Sequence, residues 1–460
     1  MNYPSLAVLA ASGVLASLPA SASDSDLKTL REEIAQMRQA YEQRIAAMEK
    51  RLAQAEAAPA VPAASGAGEG KASAFNPEIG LVLQGRAKKM KAVAERAVSG
   101  YWPAGHAHGD ERGFSLEHSE LILSASIDPD FRGAARLAVA GDGSVEVEEA
   151  SVSTLGLGNG LSVRAGRFAS EIGYQNAQHA HEWDFADASL MQKVLFGDEG
   201  YRQDGLQVKW VAPTDLFLQF GAEIGRGATF PGSNRNQNGV GATALFAKLG
   251  GDVGASHAWQ AGFSFHHARS RNRETHFEDT NEVEAKGLFT GRSRTAIADF
   301  VWKWAPDGNA KERGIKLQTE FFRRTESGTF GCGGPVTSTD TTTCTDGVAL
   351  GDLRTRQGGG YAQAVWQFMP RWRAGYRHDW LNKGAKSYAA TAVFAVLDPG
   401  NQYFADYKPR RDSVMLDWSN SEFSRLRLQY ARDRAMRGVA DNQVTLQYIM
   451  SLGAHGAHRF

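Results

Sequence analysis

Charged side chains alternate with apolar residues along much of the chain, so charges occupy every second position of many short segments. Arginine and lysine suit phosphate and carboxylate groups, and a guanidinium binds them with two parallel hydrogen bonds. The basic residues chosen as candidates for lining an aqueous path are Arg132, Arg136, Arg164, Lys209, Arg373, Arg377, Arg425 and Arg427. Four further basic residues also occupy the polar positions of alternating segments, namely Arg86, Lys303, Lys316 and Arg371. The acidic ones are Glu120, Glu146, Glu148, Glu223, Asp299, Glu320, Asp379 and Asp417. The basic residues outnumber the acidic ones by twelve to eight, and such an excess along an aqueous path favours anions. The same residues could instead form ion pairs that stabilise the wall of the path.

Histidines separated by one residue form a second group with possible chemistry. One pair is His106 and His108, and the other is His179 and His181, which is followed by Glu182. Imidazole and carboxylate groups bind Zn²⁺ or Cu²⁺, so a channel or receptor for metal ions or metal chelates is an alternative function. Solvated loop histidines are the other interpretation. No motif indicates a resident cofactor, and no GxSxG elbow or comparable group of nucleophile and base indicates an enzyme.

Two cysteines complete the reactive residues. Cys332 and Cys344 fall in one polar connecting segment, and we predict that they form a disulfide, as is typical of an oxidising compartment. Two thiols are too few for a disulfide-rich scaffold or a four-thiolate zinc site.

The elements that position these residues are β-strands. From residue 75 onward, apolar residues recur at every second position, as in Leu216, Leu218, Phe220, Ala222 and Ile224. Such alternation makes one face of a strand apolar and the other polar. Repeated along the chain, it predicts about sixteen strands, an even number as closed bacterial membrane barrels require.

The connections between these strands alternate in length. Short links such as 128–130, 212–215, 370–371 and 420–422 separate long ones at 87–113, 169–203, 268–292, 324–358 and 381–409. Outer-membrane barrels have short periplasmic turns and long extracellular loops, whereas a soluble sandwich has no reason to sort its loops. Six tryptophans beside the short links predict an aromatic girdle at one membrane interface. They are Trp210, Trp259, Trp304, Trp366, Trp372 and Trp418.

The long connection at 169–203 is the candidate constriction, because a sixteen-stranded barrel leaves an aqueous channel that a loop can narrow. Its polar residues are His179, His181, Glu182, Asp184, Asp187 and Lys193, and a helical piece is predicted over 186–195. A polar surface loop is the alternative.

The N-terminal residues indicate export and assembly. Residues 1–22 combine an apolar stretch with a small-residue cleavage site, which is the pattern of a cleaved signal peptide. Residues 23–57 carry a heptad seam that predicts a periplasmic coiled coil and therefore a partner helix, most simply from copies of the same chain. Residues 58–74 are rich in Ala, Pro, Gly and Ser and read as a flexible linker.

Composition excludes other classes. The 460 residues contain 51 basic and 51 acidic side chains, so the clustered basic charge typical of nucleic-acid binding is not indicated. Residues 23–74 are too few and too regular for the folded plug of a 22-stranded receptor.

Several segments resemble the phosphate-selective porin family, the O and P porins. They are FNPEIGLVLQGR (75–86), GFSLEHSELILSASIDPDFRGAARLAV (113–139), VEVEEASV (145–152), LSVRAGRF (161–168) and GYQNAQHAHEWDFAD (173–187). The C-terminal alternation ending in Phe460 also resembles the terminal strand of outer-membrane barrel proteins.

The resemblance implies an all-β fold: a sixteen-stranded antiparallel transmembrane β-barrel over 75–460, in a homotrimer within the lipid of a bacterial outer membrane. It implies passive diffusion of small anions such as phosphate through a lumen that is lined with basic residues and narrowed by inward-folded loops.

Overall fold

The computed structural model describes residues 77–453, apart from 94–95, 103–111, 118, 140, 142, 279–283, 334–348, 389–401 and 404. The predicted signal peptide, coiled coil and linker lie outside the described residues. The histidine pair of His106 and His108 lies outside them too, and so do the side chains of Cys332 and Cys344. A metal site at that pair and the disulfide therefore stay predictions.

The described residues form an all-β barrel of sixteen antiparallel strands. The first eight are β1 (Glu78–Lys89), β2 (Gly113–Leu116 and Ser119–Ser126), β3 (Phe131–Val139), β4 (Val145–Thr154), β5 (Leu161–Ala169), β6 (Arg202–Val211), β7 (Phe217–Gly225) and β8 (Ala242–Val253). The others are β9 (His257–Glu278), β10 (Glu284–Trp304), β11 (Gly314–Gly333), β12 (Ala349–Met369), β13 (Trp372–Leu381 and Ala385–Tyr388), β14 (Arg410–Ser421), β15 (Ser424–Arg434) and β16 (Asp441–Gly453). The strand number agrees with the alternation in the sequence.

Closure comes from β1, which pairs with β16 on one side, Gly80 opposite Gly453, and with β2 on the other. Both pieces of β2 pair with β1, and both pieces of β13 pair with β12, so each counts as one interrupted strand. A closed ladder pairs backbone groups around the whole ring, which is the condition for a sheet to cross a membrane.

The outward face is apolar, as the alternation predicts. Leu245, Phe263 and Trp366 are each more than half exposed, which is typical of side chains that meet lipid. At the end of the barrel with short links, called the turn end below, the rings of Trp372 and Trp418 lie 6.4 Å apart as part of the predicted girdle. Among the described residues, no helix is long and apolar enough to span a membrane.

Four strands extend further than the sequence indicates. Strands β9 to β12 are 20 to 22 residues long, whereas the sequence suggests long connections over 268–292 and 324–358. Most of those residues are in strands that continue beyond the apolar band at the opposite end, called the loop end below. The alternation of apolar residues stops there because the outward face no longer meets the hydrocarbon chains of the membrane.

Candidate conduction site in the barrel lumen

The connection between β5 and β6, residues 170–201 and called the lumen loop below, folds into the barrel. It contains a 3₁₀ turn (Ala180–Glu182) and one short helix, α1 (Leu190–Phe196). The Ser189 hydroxyl caps α1 by accepting a hydrogen bond from Gln192 N at 3.1 Å, and Gly197 ends it with a φ of 84°. The helix begins later than the predicted piece at 186–195.

Hydrogen bonds fix the lumen loop to opposite parts of the wall. The Glu320 carboxylate on β11 accepts from Tyr174 N at 2.9 Å and from Gln175 N at 2.8 Å. On the other side, Gln429 of β15 accepts from Ala186 N at 2.8 Å. The loop also donates hydrogen bonds to Glu223 on β7 and to Asp379 on β13. It therefore crosses the lumen and does not follow one side of the wall.

Two loop aspartates hold the loop to arginines of the wall. Asp187 pairs with Arg377 at 2.8 Å and with Arg411 at 2.7 Å. Asp184 pairs with Lys316 at 2.9 Å and with Arg373 at 3.2 Å. Burial alone would raise the pKa of both aspartates, but these cations outweigh it and hold both pKa values well below the usual range. The loop is therefore anchored by charged groups.

Above these ion pairs, toward the loop end, the loop packs against an apolar core inside the barrel. The buried apolar residues of α1 are Leu190, Met191, Val194, Leu195 and Phe196. They belong to one cluster with inward-facing wall residues, namely Ala242, Ala244, Ala268, Ile297, Phe322, Tyr361 and Leu381, together with Tyr101, Ile172, Tyr201 and Ala435. The sequence predicts a polar constriction, whereas the loop also places an apolar plug in part of the lumen.

The loop histidines meet carboxylates on β2 and β4. His179 Nε2 lies 2.8 Å from Glu149, and its Nδ1 lies 3.2 Å from Glu148. His181 Nδ1 lies 2.9 Å from Glu120. Burial favours neutral His179, but its hydrogen bonds to Glu148 and Glu149 prevail and raise the pKa of His179 to about 9.

Four histidines are candidate metal ligands in the sequence, and the structure describes two of them, His179 and His181. Among the described residues, His179 belongs to a group whose ligand atoms lie close enough to hold an ion, and His181 does not. His106 and His108 lie outside the described residues, so a metal site that includes them stays a prediction. Within the described part of the chain, the metal hypothesis therefore depends on His179.

Consecutive glutamates reach the same histidine because β4 carries a β-bulge. Arg136 lies opposite Glu149, and Leu137 lies opposite Val147, so Glu148 is the extra residue. Arg136 pairs with Glu120 at 2.5 Å, and Arg202 pairs with Glu148 at 3.1 Å. Three carboxylates thus face the guanidinium groups of Arg136 and Arg202 and the imidazoles of His179 and His181.

At the turn end, below the lumen loop, two basic groups of the wall are more exposed than their acidic partners. Arg132 is 40% exposed beside Glu78 at 57%, whereas Lys209 and Arg373 are 21% and 26% exposed. By contrast, Glu171 and Asp184, which pair with Lys209 and Arg373, are 6% and 7% exposed. This region is called the basic vestibule below.

A cavity of about 270 Å³ opens in the vestibule beside Lys209 and Lys248. Glu171 pairs with Lys209 at 2.7 Å and lies 3.9 Å from Lys248. Amide side chains of Gln178, Gln219 and Gln260 complete its polar lining, together with the ring of Tyr174. Ammonium and amide donors around one cavity suit a small anion.

All eight basic residues predicted to line the path lie on the inward side of their strands, but their surroundings differ. Arg377 and Arg427 are 1% exposed under the lumen loop, where Arg427 pairs with Asp417 at 2.7 Å. Arg425 donates to the carbonyl of His181 at 2.6 Å, and Arg136 belongs to the histidine cluster. Arg132, Arg164, Lys209 and Arg373 lie in the vestibule.

The polar loop residues also separate into two roles. Glu182 accepts from His179 N at 3.1 Å, and Lys193 pairs with Asp198 at 3.0 Å, so both support the loop itself. His179, His181 and Asp184 bind the wall. The predicted constriction loop therefore contains the contacts that anchor it.

Several functional residues could not be found by parity alone. Arg324 falls within the long connection predicted over 324–358, because the apolar alternation ends before the strand does, and Arg411 lies beyond the alternating residues of its strand. Arg324 donates to the carbonyl of Val194 at 2.7 Å and so holds the end of α1. Alternation along β4 does not indicate that Glu149 faces inward, because the bulge reverses the inward and outward positions beyond Glu148.

Comparison with known proteins gives one close match in sequence. An "Uncharacterized protein" of Aquifex aeolicus (strain VF5) is 32% identical over 416 residues, which cover 84% of this chain and 80% of that protein. No family model matches the chain, so the resemblance to phosphate-selective porins has no support from that comparison.

Solved structures with similar folds are outer-membrane proteins. A loop-deletion mutant of OmpT from Vibrio cholerae has a TM-score of 0.49 at 10% identity, over 82% of this chain and 99% of that chain. The anion-selective porin from Comamonas acidovorans has a TM-score of 0.46 at 11% identity, with the same coverage of both chains. The outer membrane channel DcaP of Acinetobacter baumannii has a TM-score of 0.46 at 12% identity, over 82% of this chain and 97% of that chain. Likeness at this level carries no information about the solute.

Proposed function

This chain belongs to the same family as the uncharacterized protein of Aquifex aeolicus, and we propose that it is an outer-membrane porin that passes small anions such as phosphate by passive diffusion. The closed barrel supports the membrane location, since its outward face is apolar and its long connections gather at one end. The heptad seam supports a homotrimer, which chemical crosslinking of the full chain would test.

The basic vestibule is the observation that carries the preference for anions. Lys209 and Arg373 are partly exposed while their partners Glu171 and Asp184 are nearly buried, so these two pairs present positive charge to a solute. Charged groups lining a channel select ions of the opposite sign. Because the lumen loop crosses the barrel, we expect a small conductance that depends on that loop.

Reversal potentials across planar bilayers in a KCl gradient test this proposal. We expect the wild-type protein to prefer chloride, and addition of phosphate on one side to carry current. A double variant, Lys209→Gln with Lys248→Gln, is expected to shift the preference toward cations, because Glu171 would lose both positive neighbours.

The matched control removes two positive charges from the outer wall. Arg292→Gln with Arg294→Gln changes outward residues of β10 and should leave selectivity unchanged. Absence of conductance in the wild type would overturn the channel, and cation preference would overturn the anion selectivity.

Metal-ion transport is the second candidate, favoured by one observation. Ligand atoms of Glu120, Glu148 and His179 lie within 4.8 Å of one another. The arginines paired with both glutamates oppose a cation there, so we rank this function second. Calorimetry of zinc binding to the wild type and to His179→Gln tests this second function. The loop variant Lys193→Gln is the control. Binding that requires His179 would support the metal function.

A further inference from the structure

The outer wall of β9 to β12 carries a group of exposed arginines just beyond the apolar band at the loop end. Their side chains point outward, because they share the parity of the lipid-facing residues below them. This set, called the arginine patch below, consists of Arg269, Arg292, Arg294, Arg323, Arg354 and Arg356. The mechanism proposed above uses none of them, because they face away from the lumen.

Strand register places these arginines in adjacent rows. Arg269 lies directly opposite Arg292, and Ser327 separates Arg292 from Arg354 in the same row. In the next row toward the membrane, Thr325 separates Arg294 from Arg356. Neighbouring strands lie roughly 4.8 Å apart, so several guanidinium groups share one small surface. Like charges directly opposite each other destabilise a sheet, unless an anion offsets their repulsion.

Within the described part of the chain, none of the six arginines forms a salt bridge. Some other outward charges toward the loop end are paired. Arg167 on β5 bonds Asp204 on β6 at 2.6 Å, and Asp412 on β14 bonds His378 at 2.7 Å. Outward Arg410 and Arg434, opposite each other on β14 and β15, also form no salt bridge among the described residues. The patch on β9 to β12 therefore differs from the rest of the rim in the number of arginines that it brings together.

The position of the patch indicates what meets it. Immediately toward the turn end lies an aromatic row that includes Phe321 and Trp380, whose rings are 5.6 Å apart. Aromatic girdles mark the level of lipid headgroups in membrane barrels. Arg323 is two residues beyond Phe321 on the same strand, so the arginines begin at headgroup depth.

We propose that the arginine patch binds the phosphate groups of an anionic membrane lipid in the leaflet at the loop end. Planar guanidinium groups form paired, charge-assisted hydrogen bonds with phosphate oxygens, and the apolar wall below receives the acyl chains of the same molecule. A free phosphate ion would use only the first of these contacts. This inference rests on the proposed membrane insertion and is independent of anion conduction.

Native mass spectrometry of the full-length protein in detergent, titrated with diphosphoryl lipid A, tests the patch. The variant Arg292→Gln with Arg294→Gln should bind this lipid about tenfold or more weakly, because charge-assisted hydrogen bonds are lost. Arg292→Lys with Arg294→Lys keeps the charge without the fork geometry, and an intermediate affinity is expected.

The matched control is Arg410→Gln with Arg432→Gln. It removes two outward arginines from the sector that contains Asp412, which lies opposite Arg432, and should change lipid affinity by less than about twofold. Equal losses in both double variants, or none in either, would overturn the proposal. Inorganic phosphate that displaces the lipid at millimolar concentration would also overturn it, since the site would then be one for free anions.

Measuring the conductance of the same samples distinguishes the channel proposal from the lipid-binding proposal. A protein that binds lipid A through the patch but does not conduct would contradict only the channel. A protein that conducts anions with lipid affinity unchanged in the patch variant would contradict only the lipid site. Retained heat-modifiable migration on gels shows that each variant still forms its barrel.

Discussion

Asp187 shows at the scale of one residue how the lumen loop is held. Its carboxylate forms ion pairs with Arg377 at 2.8 Å and Arg411 at 2.7 Å, and it accepts a hydrogen bond from the Gln429 amide at 2.9 Å. All of these partners belong to the wall. Removing one member of a buried ion-pair network leaves uncompensated charge, which costs more than the pair contributes.

Asp187→Asn should therefore loosen the loop, with a loss of about 3–5 kcal/mol in the free energy of docking. We expect larger and noisier single-channel conductance in planar bilayers. Asp307→Asn, in the exposed link between β10 and β11, removes the same charge away from the lumen and should leave conductance unchanged. An Asp187→Asn channel identical to the wild type would show that these pairs do not hold the loop.

The pH dependence of the loop contacts follows from the lowered pKa values of Asp184 and Asp187. A carboxyl group with a depressed pKa in the folded state contributes stability above its unfolded pKa and loses it only as pH falls through the folded value. Conductance should thus remain constant from pH 7 to about pH 5, above the unfolded pKa of aspartate. A rise in conductance over that interval, measured on single channels, would contradict the assignment.

Helix α1 illustrates the scale of one element. Its seven residues are too few to be stable alone in water, so its helical form depends on the apolar wall around it. Leu195 is 1% exposed within the lumen cluster. The helix is held from one side by apolar packing, and from its last turn by Arg324.

Leu195→Ala is expected to weaken loop docking by about 2–5 kcal/mol, because it leaves a cavity among buried groups. Hydrogen exchange should then quicken over 170–201 while the strands of the wall keep their protection. Lys193→Ala, on the same helix, alters an ion pair with the exposed Asp198 and should have little effect. Equal quickening in loop and strands would mean that α1 supports the whole barrel.

At the scale of the whole molecule, the wall of the barrel is structurally independent of the lumen loop. Backbone pairing closes the barrel from β1 to β16 without any contribution from residues 170–201. The two ends of the lumen loop are adjacent, because Ser170 N donates to the carbonyl of Tyr201 at 3.0 Å. A short linker is therefore sufficient to replace the loop.

Replacing residues 171–200 with a short Gly-Ser linker should give a folded barrel with a larger conductance. The wall should remain intact because its hydrogen bonds run between neighbouring strands. Heat-modifiable migration on gels and single-channel recording are the measurements. Loss of the barrel would show that the loop is part of the folding core, and unchanged conductance would show that ions do not pass the loop.

The sequence predicts the barrel because lipid and water impose a strict period of two on every strand that separates them. Alternating apolar residues such as Phe263 and Phe265 therefore indicate the strands, their inward parity and the alternation of links. The prediction ends where that physical constraint ends. Beyond the band, β9 to β12 continue with outward arginines, and a residue such as Arg324 looks like part of a loop.

Parity establishes that Arg373, Arg377 and Arg427 face inward, but a side chain that faces the lumen can meet water or another part of the chain. Tertiary structure decides between them, because the lumen loop comes from a different stretch of sequence and covers Arg377 and Arg427 while leaving Arg373 partly exposed. The bulge at Glu148, which brings two glutamates to one histidine, is likewise a matter of long-range pairing. Local periodicity thus determines the wall, and contacts between distant segments determine what the lumen holds and which charges reach it.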